Sequence, residues 1–123
     1  MTAPNASLSI MKKVASEELV FKIKADFLKC LAHPARLAVI EYLKTREASV
    51  GQIVSALKLE QSGLSKHLAH LRQAGIVTSR QEGVTVYYSI RDRDIFLVLR
   101  PIAEILRKKL RESHEVLGHL GKA

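Results

Sequence analysis

The sequence predicts a mostly α-helical chain with one small β-hairpin, an α+β arrangement. Three observations predict it. Residues 49–74 read as helix, tight turn, helix. Two short strand-like runs follow, with Glu82-Gly83 at the tip between them. Long amphipathic stretches flank this block on both sides, at 16–31 and from about 92 onward. The order is helix, helix, helix, helix, strand, strand, helix: a winged helix-turn-helix.

Each element has a local reason. Val20, Ile23, Phe27 and Leu31 recur at helical spacing and form one apolar stripe from about Ser16 to Leu31. Residues 1–7, small and polar with Pro4, read as frayed. His33-Pro34 interrupts the stripe, because a residue before proline disfavours helix and proline suits a first helical position. The second helix therefore opens at Pro34, capped by His33, with Leu37, Ile40 and Leu43 facing inward. Ser49 followed by Gln52 is a capping-box pattern opening the third helix, whose core residues are Ile53 and Leu57. Leu59-Glu60-Gln61 makes the turn, and the fourth helix runs to about Ala74, where Gly75 supplies a left-handed stop. Ile76–Gln81 and Val84–Ile90 read as strands, the second with Val84, Val86, Tyr88 and Ile90 alternating. The last helix starts near Asp92, a good N-cap, and carries Ile95, Val98, Leu99, Ile102, Ile105, Leu106 and Leu110 as a long stripe. Pro101 is expected to kink or split it.

Size and composition narrow the function classes. A chain of 123 residues suits one domain. The formal charge of +8 favours a polyanionic partner. No stretch of about 18 residues lacks a charge, so no membrane span is expected. The N-terminus does not read as a secretory signal, since its apolar patch precedes the lysines. Cys30 is the single cysteine, which excludes an intrachain disulfide and fits a cytoplasmic location.

At about 100° per residue, Leu64, Leu68 and Leu71 share one side of the fourth helix. Ser62, Lys66, Ala69, His70 and Gln73 fall opposite, with Ser65 and His67 on the flanks. Small residues near the N-terminal end, with donors spaced along the face, suit a DNA major groove. Gln61 and Ser62 would lead in reading bases, with Gly63, Ser65, Lys66, His67 and His70 completing the contact set. In the wing, Arg80 is expected on a phosphate or in the minor groove, with Thr85 assisting and Glu82 pointing away. The bland readings are a solvated helix and a merely stabilising hairpin. Ser65 and His67 do not make a nucleophile–base pair, since residues two apart on a helix point about 200° apart. No phosphate loop, paired-acid cleft or metal-ligand cluster is legible, so no enzymatic activity is expected.

The segments FLKCLAHPARLAVIEYL, SVGQIVSALKLEQSGLSKHLAHLRQAGIV and RQEGVTVYYSI resemble the ArsR/SmtB family of bacterial transcriptional repressors, over about residues 20–100. The resemblance implies a homodimer formed through the first and last helices. It also implies two recognition helices on half-sites of a palindromic operator, and repression relieved by a ligand. The domain organisation would be an N-terminal extension at 1–15, a DNA-binding and dimerisation domain at 16–111, and a helix end or tail at 112–123. A winged-helix module that binds proteins, with no DNA specificity of its own, is the alternative.

The sequence departs from the family's metal sensors. Arsenic- and cadmium-type members carry C-x-C within E-L-C-V-C-D-L, where this chain has Ser49 and Gly51 in Glu47-Ala48-Ser49-Val50-Gly51-Gln52-Ile53. In the zinc-type pattern, Asp92-Arg93-Asp94 lacks the histidine, and later ligand positions fall on Ile105 and Lys108. No cofactor is therefore expected. His114, Glu115 and His119 are a weak metal candidate, against a plain solvated tail. Cys30 reads either as an inert residue beside the first stripe or as a redox thiol.

Overall fold

The computed structural model describes residues 3–122, with side chains described for residues 7–115. The chain divides into two compact units, Met1–Ile90 and Arg91–Ala123. Among the described residues the order is α1 (Ala3–Leu31), α2 (Pro34–Tyr42), β1 (Ala48–Ser49), α3 (Val50–Leu57), α4 (Gln61–Gln73), β2 (Val77–Glu82), β3 (Thr85–Ile90) and α5 (Ile95–Lys122). Five helices and a small antiparallel sheet in this order make the winged helix-turn-helix that the sequence predicts.

In the first unit, α1 is longer than its stripe suggests. It begins at Ala3 instead of near Ser16. Pro4 stands in the first turn, where a missing N–H costs nothing, so it does not force fraying. The expectation for residues 1 and 2 lies outside the described residues. Leu31 is buried at the C-terminal end of α1, whereas Val20 and Ile23 stay exposed.

The helix ends follow local chemistry. His33 Nδ1 accepts the Ala35 N–H at 3.1 Å and caps α2, with Pro34 in its first turn. The buried face of α2 is Val39, Ile40 and Leu43. Leu37 is 40% exposed, against expectation. At about 100° per residue, Val39, Ile40 and Leu43 cluster together and Leu37 falls beyond their edge. Ser49 Oγ accepts the Gln52 N–H at 3.2 Å, and the Ser49 N–H donates to Gln52 Oε1 at 2.8 Å, completing the capping box of α3. Gly75, at φ 78°, ends α4. There the Ile76 N–H reaches Leu71 O at 2.9 Å and the Gly75 N–H reaches Arg72 O at 3.0 Å, the paired bonds of a Schellman motif. Ile76 is buried, supplying the apolar contact that accompanies such an end.

Leu64, Leu68 and Leu71 of α4 are buried with Ile40, Ile53 and Val77. Helices α2 and α3 and strand β2 all pack on α4. The sheet order is β1-β3-β2. In it β2 and β3 pair from Val77↔Ile90 to Glu82↔Thr85. The short β1 pairs Ala48↔Tyr88 and Ser49↔Tyr87. That strand was not predicted, since two residues carry no period. Val84 stands in the turn, 99% exposed, instead of opening β3. All six residues of β3 are half-buried, because this central strand has neighbours on both edges.

In the second unit, Asp92 Oδ1 accepts the Asp94 N–H at 2.9 Å just before α5. Pro101 lies inside α5 without splitting it. Val98, Ile102, Ile105, Leu106 and Leu110 are exposed.

The capping box is expected to contribute measurably. Ser49→Ala should lower the unfolding free energy by about 1 kcal/mol in urea denaturation. Ser49→Asp, which keeps an acceptor, should recover most of it.

Candidate nucleic-acid interface

The leucine stripe fixes how α4 is rotated, and so what it presents. Gln61, Ser62, Ser65 and Lys66 are exposed on its N-terminal half. Ser62 Oγ donates to Glu60 Oε1 at 3.1 Å, which holds the hydroxyl in place at the first turn. Gly63 is helical, and a Cβ built there would meet nothing within 4 Å. Packing within the chain therefore does not require a glycine at this position.

The C-terminal half of the same face is different. His70 and Gln73 line a cavity of about 360 Å³ together with Ile23, Asp26, Phe27, Cys30 and Ala74. Cys30 Sγ donates to His70 O at 3.6 Å. His70 and Gln73 are exposed, and at this end the outward face borders α1 across the cavity.

His67 is not on the outward face. Its Nδ1 accepts from Arg36 Nε at 3.1 Å, and its ring centroid lies 4.2 Å from that of His33. Burial pushes its pKa below the ordinary histidine value, and the nearby charges of His33, Arg36 and His70 push the same way. Arg36 also donates from Nη1 to Cys30 O at 3.1 Å. Ser65 is exposed while His67 is engaged by Arg36, so the two do not act as a pair.

In the wing, Arg80 grips Glu47 with two bonds, Nε to Oε2 at 2.8 Å and Nη2 to Oε1 at 2.6 Å. Its Nη1 donates to Glu82 Oε2 at 2.8 Å, and the guanidinium lies 4.7 Å from the Tyr87 ring centroid. Glu82 is thus held against Arg80, its nearest strong cation. Hydrogen bonding from Arg80 holds the Glu47 carboxyl below its usual range. Its bonds to the Glu47 and then the Glu82 carboxylate raise the Arg80 pKa in turn. Thr85 is half-buried and pairs with Glu82 beside the turn.

The model of the bacterial regulatory proteins of the arsR family matches residues 33–79, which run from the cap of α2 into β2. An uncharacterised HTH-type transcriptional regulator of Mycobacterium tuberculosis, Rv0081, is 41% identical over 104 residues, covering 84% of this chain and 91% of its own. The chain belongs to the ArsR family.

Solved structures of similar chains agree with that assignment. The crystal structure of Rv0081 superimposes with a TM-score of 0.70, covering 76% of this chain and 95% of that one. NolR from Sinorhizobium fredii is 33% identical with a TM-score of 0.69, covering 73% and 90%. The DNA-binding domain of Mb0332 from Mycobacterium bovis is described as a homodimeric winged helix-turn-helix. It is 25% identical with a TM-score of 0.69, covering 78% and 89%. DNA-binding transcriptional regulation is thus the function of this ArsR chain.

The positions where other ArsR-type proteins are expected to sense metals are used differently here. Ser49 Oγ is committed to the α3 cap, and Gly51 offers no donor side chain. His114 and Glu115 are exposed on α5, and the His119 side chain lies outside the described residues. Among the described residues, no group of three or more His, Cys, Asp or Glu is arranged to hold a metal ion. Cys30 is half-buried. No helix among the described residues is long and apolar enough to cross a membrane.

Three participants carried no local signal in the sequence: Arg36, Glu47 and Tyr87. Each acts on a partner brought close by tertiary structure. The Glu47–Arg80 clamp yields a prediction. Glu47→Gln should free the guanidinium for phosphate and steepen the log K against log salt slope by about 0.9, one contact's worth. Fluorescence anisotropy with a short duplex at several salt concentrations measures it. An unchanged slope would show that Arg80 stays on the wing.

Proposed function

We propose that this chain is a homodimeric transcriptional repressor of a palindromic operator, with the N-terminal half of α4 in the major groove and the hairpin on the backbone or minor groove. The observation that carries this reading is the exposed first half of α4, where Gln61, Ser62, Ser65 and Lys66 stand clear of the core. Small side chains let the helix approach closely. The hydroxyl and amide groups suit base edges, and Lys66 suits a phosphate. The chain's charge of +8 adds attraction that does not depend on sequence.

The dimer reading rests on exposed apolar side chains. Leu19, Val20 and Ile23 of α1 are exposed, as are Ile102, Ile105 and Leu106 of α5. Such surfaces are better covered than left in water. The homodimeric description of Mb0332 supports a partner copy as the cover. Two copies would present two α4 helices to half-sites about one helical turn, or a multiple, apart. Localisation in the cytoplasm and operation without a bound metal belong to the same proposal.

Selection of bound duplexes from a random-sequence pool tests the reading, with sedimentation velocity reporting the dimer. A palindromic consensus is expected; protein that shows no preference among duplexes would overturn it. Within the selected site, Ser62→Ala should change base preference at one position per half-site. Lys66→Ala should weaken all duplexes alike and flatten the salt slope by about 0.9.

Gly63 gives a sharper outcome. Gly63→Ala should stabilise the fold by up to about 1 kcal/mol, since alanine is the better helix former and the space is open. The same methyl should lower operator affinity about tenfold, or ~1.4 kcal/mol, if the backbone approaches the groove at this point. Thermal melts and anisotropy on the same preparation separate the two effects.

A further inference from the structure

Three positively charged or chargeable side chains meet where α1, α2 and α4 converge. His33, in the α1–α2 turn, spends its Nδ1 lone pair on the Ala35 N–H at 3.1 Å. His67, on α4, spends its Nδ1 lone pair on Arg36 Nε at 3.1 Å. The two rings are 4.2 Å apart. Arg36, on α2, extends its other arm to the Cys30 carbonyl of α1 at 3.1 Å. One guanidinium therefore ties the end of α1 to the recognition helix through an imidazole that must be unprotonated at Nδ1.

We propose that the His33–Arg36–His67 cluster is an acid-release device, in which protonating His67 breaks the tie between α2 and α4 and lowers DNA affinity. A proton on Nδ1 turns the acceptor into a donor facing another donor. It also creates a cation against Arg36, with His33 beside it and His70 on the same helix. Those are the charged and titratable groups acting on His67, and each opposes the proton. The sign follows. The seated arrangement is complete above the ordinary histidine pKa of about 6.5 and is lost as pH falls through the lowered value of the folded chain.

The inference rests on the DNA-binding reading and has a sign that ordinary contacts lack. A histidine beside a phosphate gains protons on binding, so acid tightens such complexes. Here acid should loosen the complex.

The experiment compares wild type with His67→Gln, whose amide oxygen still accepts from Arg36 but does not titrate. Operator affinity is measured by anisotropy at fixed ionic strength between about pH 7.5 and 5.5, each protein relative to its own upper value. Wild type is expected to lose about tenfold, and His67→Gln less than about twofold. Arg36→Gln, which keeps a donor but removes the adjacent cation, provides a second variant and should also lose less than wild type. Circular dichroism should show unchanged helicity over this range. Wild-type binding that is unchanged or tighter in acid would overturn the inference. So would an equal loss in both variants, or helicity falling together with affinity. A protein that binds no duplex at any pH would instead fail the functional reading itself.

Discussion

Burial of Leu64, Leu68 and Leu71 governs this fold and its site alike. All three side chains are almost fully excluded from water. Each contributes on the order of 1.5–3 kcal/mol when removed from solvent. They can be buried together only if α4 adopts one rotation about its axis. That rotation leaves Ser62 and Lys66 outside, since they lie on the opposite side of a helix with about 100° per residue. The elements receiving the leucines are α2, α3 and β2. A Schellman motif stops α4, a capping box starts α3, and a histidine cap starts α2. Core packing sets the angle of the exposed polar face of α4, and the end motifs set where these helices start and stop.

What was legible in the sequence follows from this division. Ser49 with Gln52, His33 before Pro34, and Gly75 after the last leucine turn all act within a few residues. Their chemistry could be read without knowing the fold. The exposed half of α4 was legible for the same reason, because a helical period needs no partner to reveal its polar side. β1 was not legible, since its two residues take their register from Tyr87 and Tyr88. Neither were Arg36–His67 and Arg80–Glu47, whose partners lie 31 and 33 residues apart. On a helical projection His70 falls opposite the leucines and His67 on the flank, but both stood in the expected contact set. The fold separates them, placing one ring against Arg36 and the other at the α1 cavity.

The distribution of charge sharpens the distinction between a basic protein and a basic contact. Arg36 and Arg80 each hold two or more acceptors within the chain. Arginine suits that work because its planar fork makes several directed bonds at once. Lysine is a flexible point charge with little structural commitment, and Lys66 stands exposed on the face that would meet DNA. The net charge still draws a polyanion from a distance, since the summed field does not depend on which side chains are paired. At contact range the paired arginines count for less. A clamped Arg80 faces two carboxylates, so this cluster is locally acidic. Its fixed shape then matters more than its cation. Under the proposed reading, sequence discrimination would fall chiefly to the first half of α4, where polar side chains are exposed and Gly63 adds no side chain between backbone and groove.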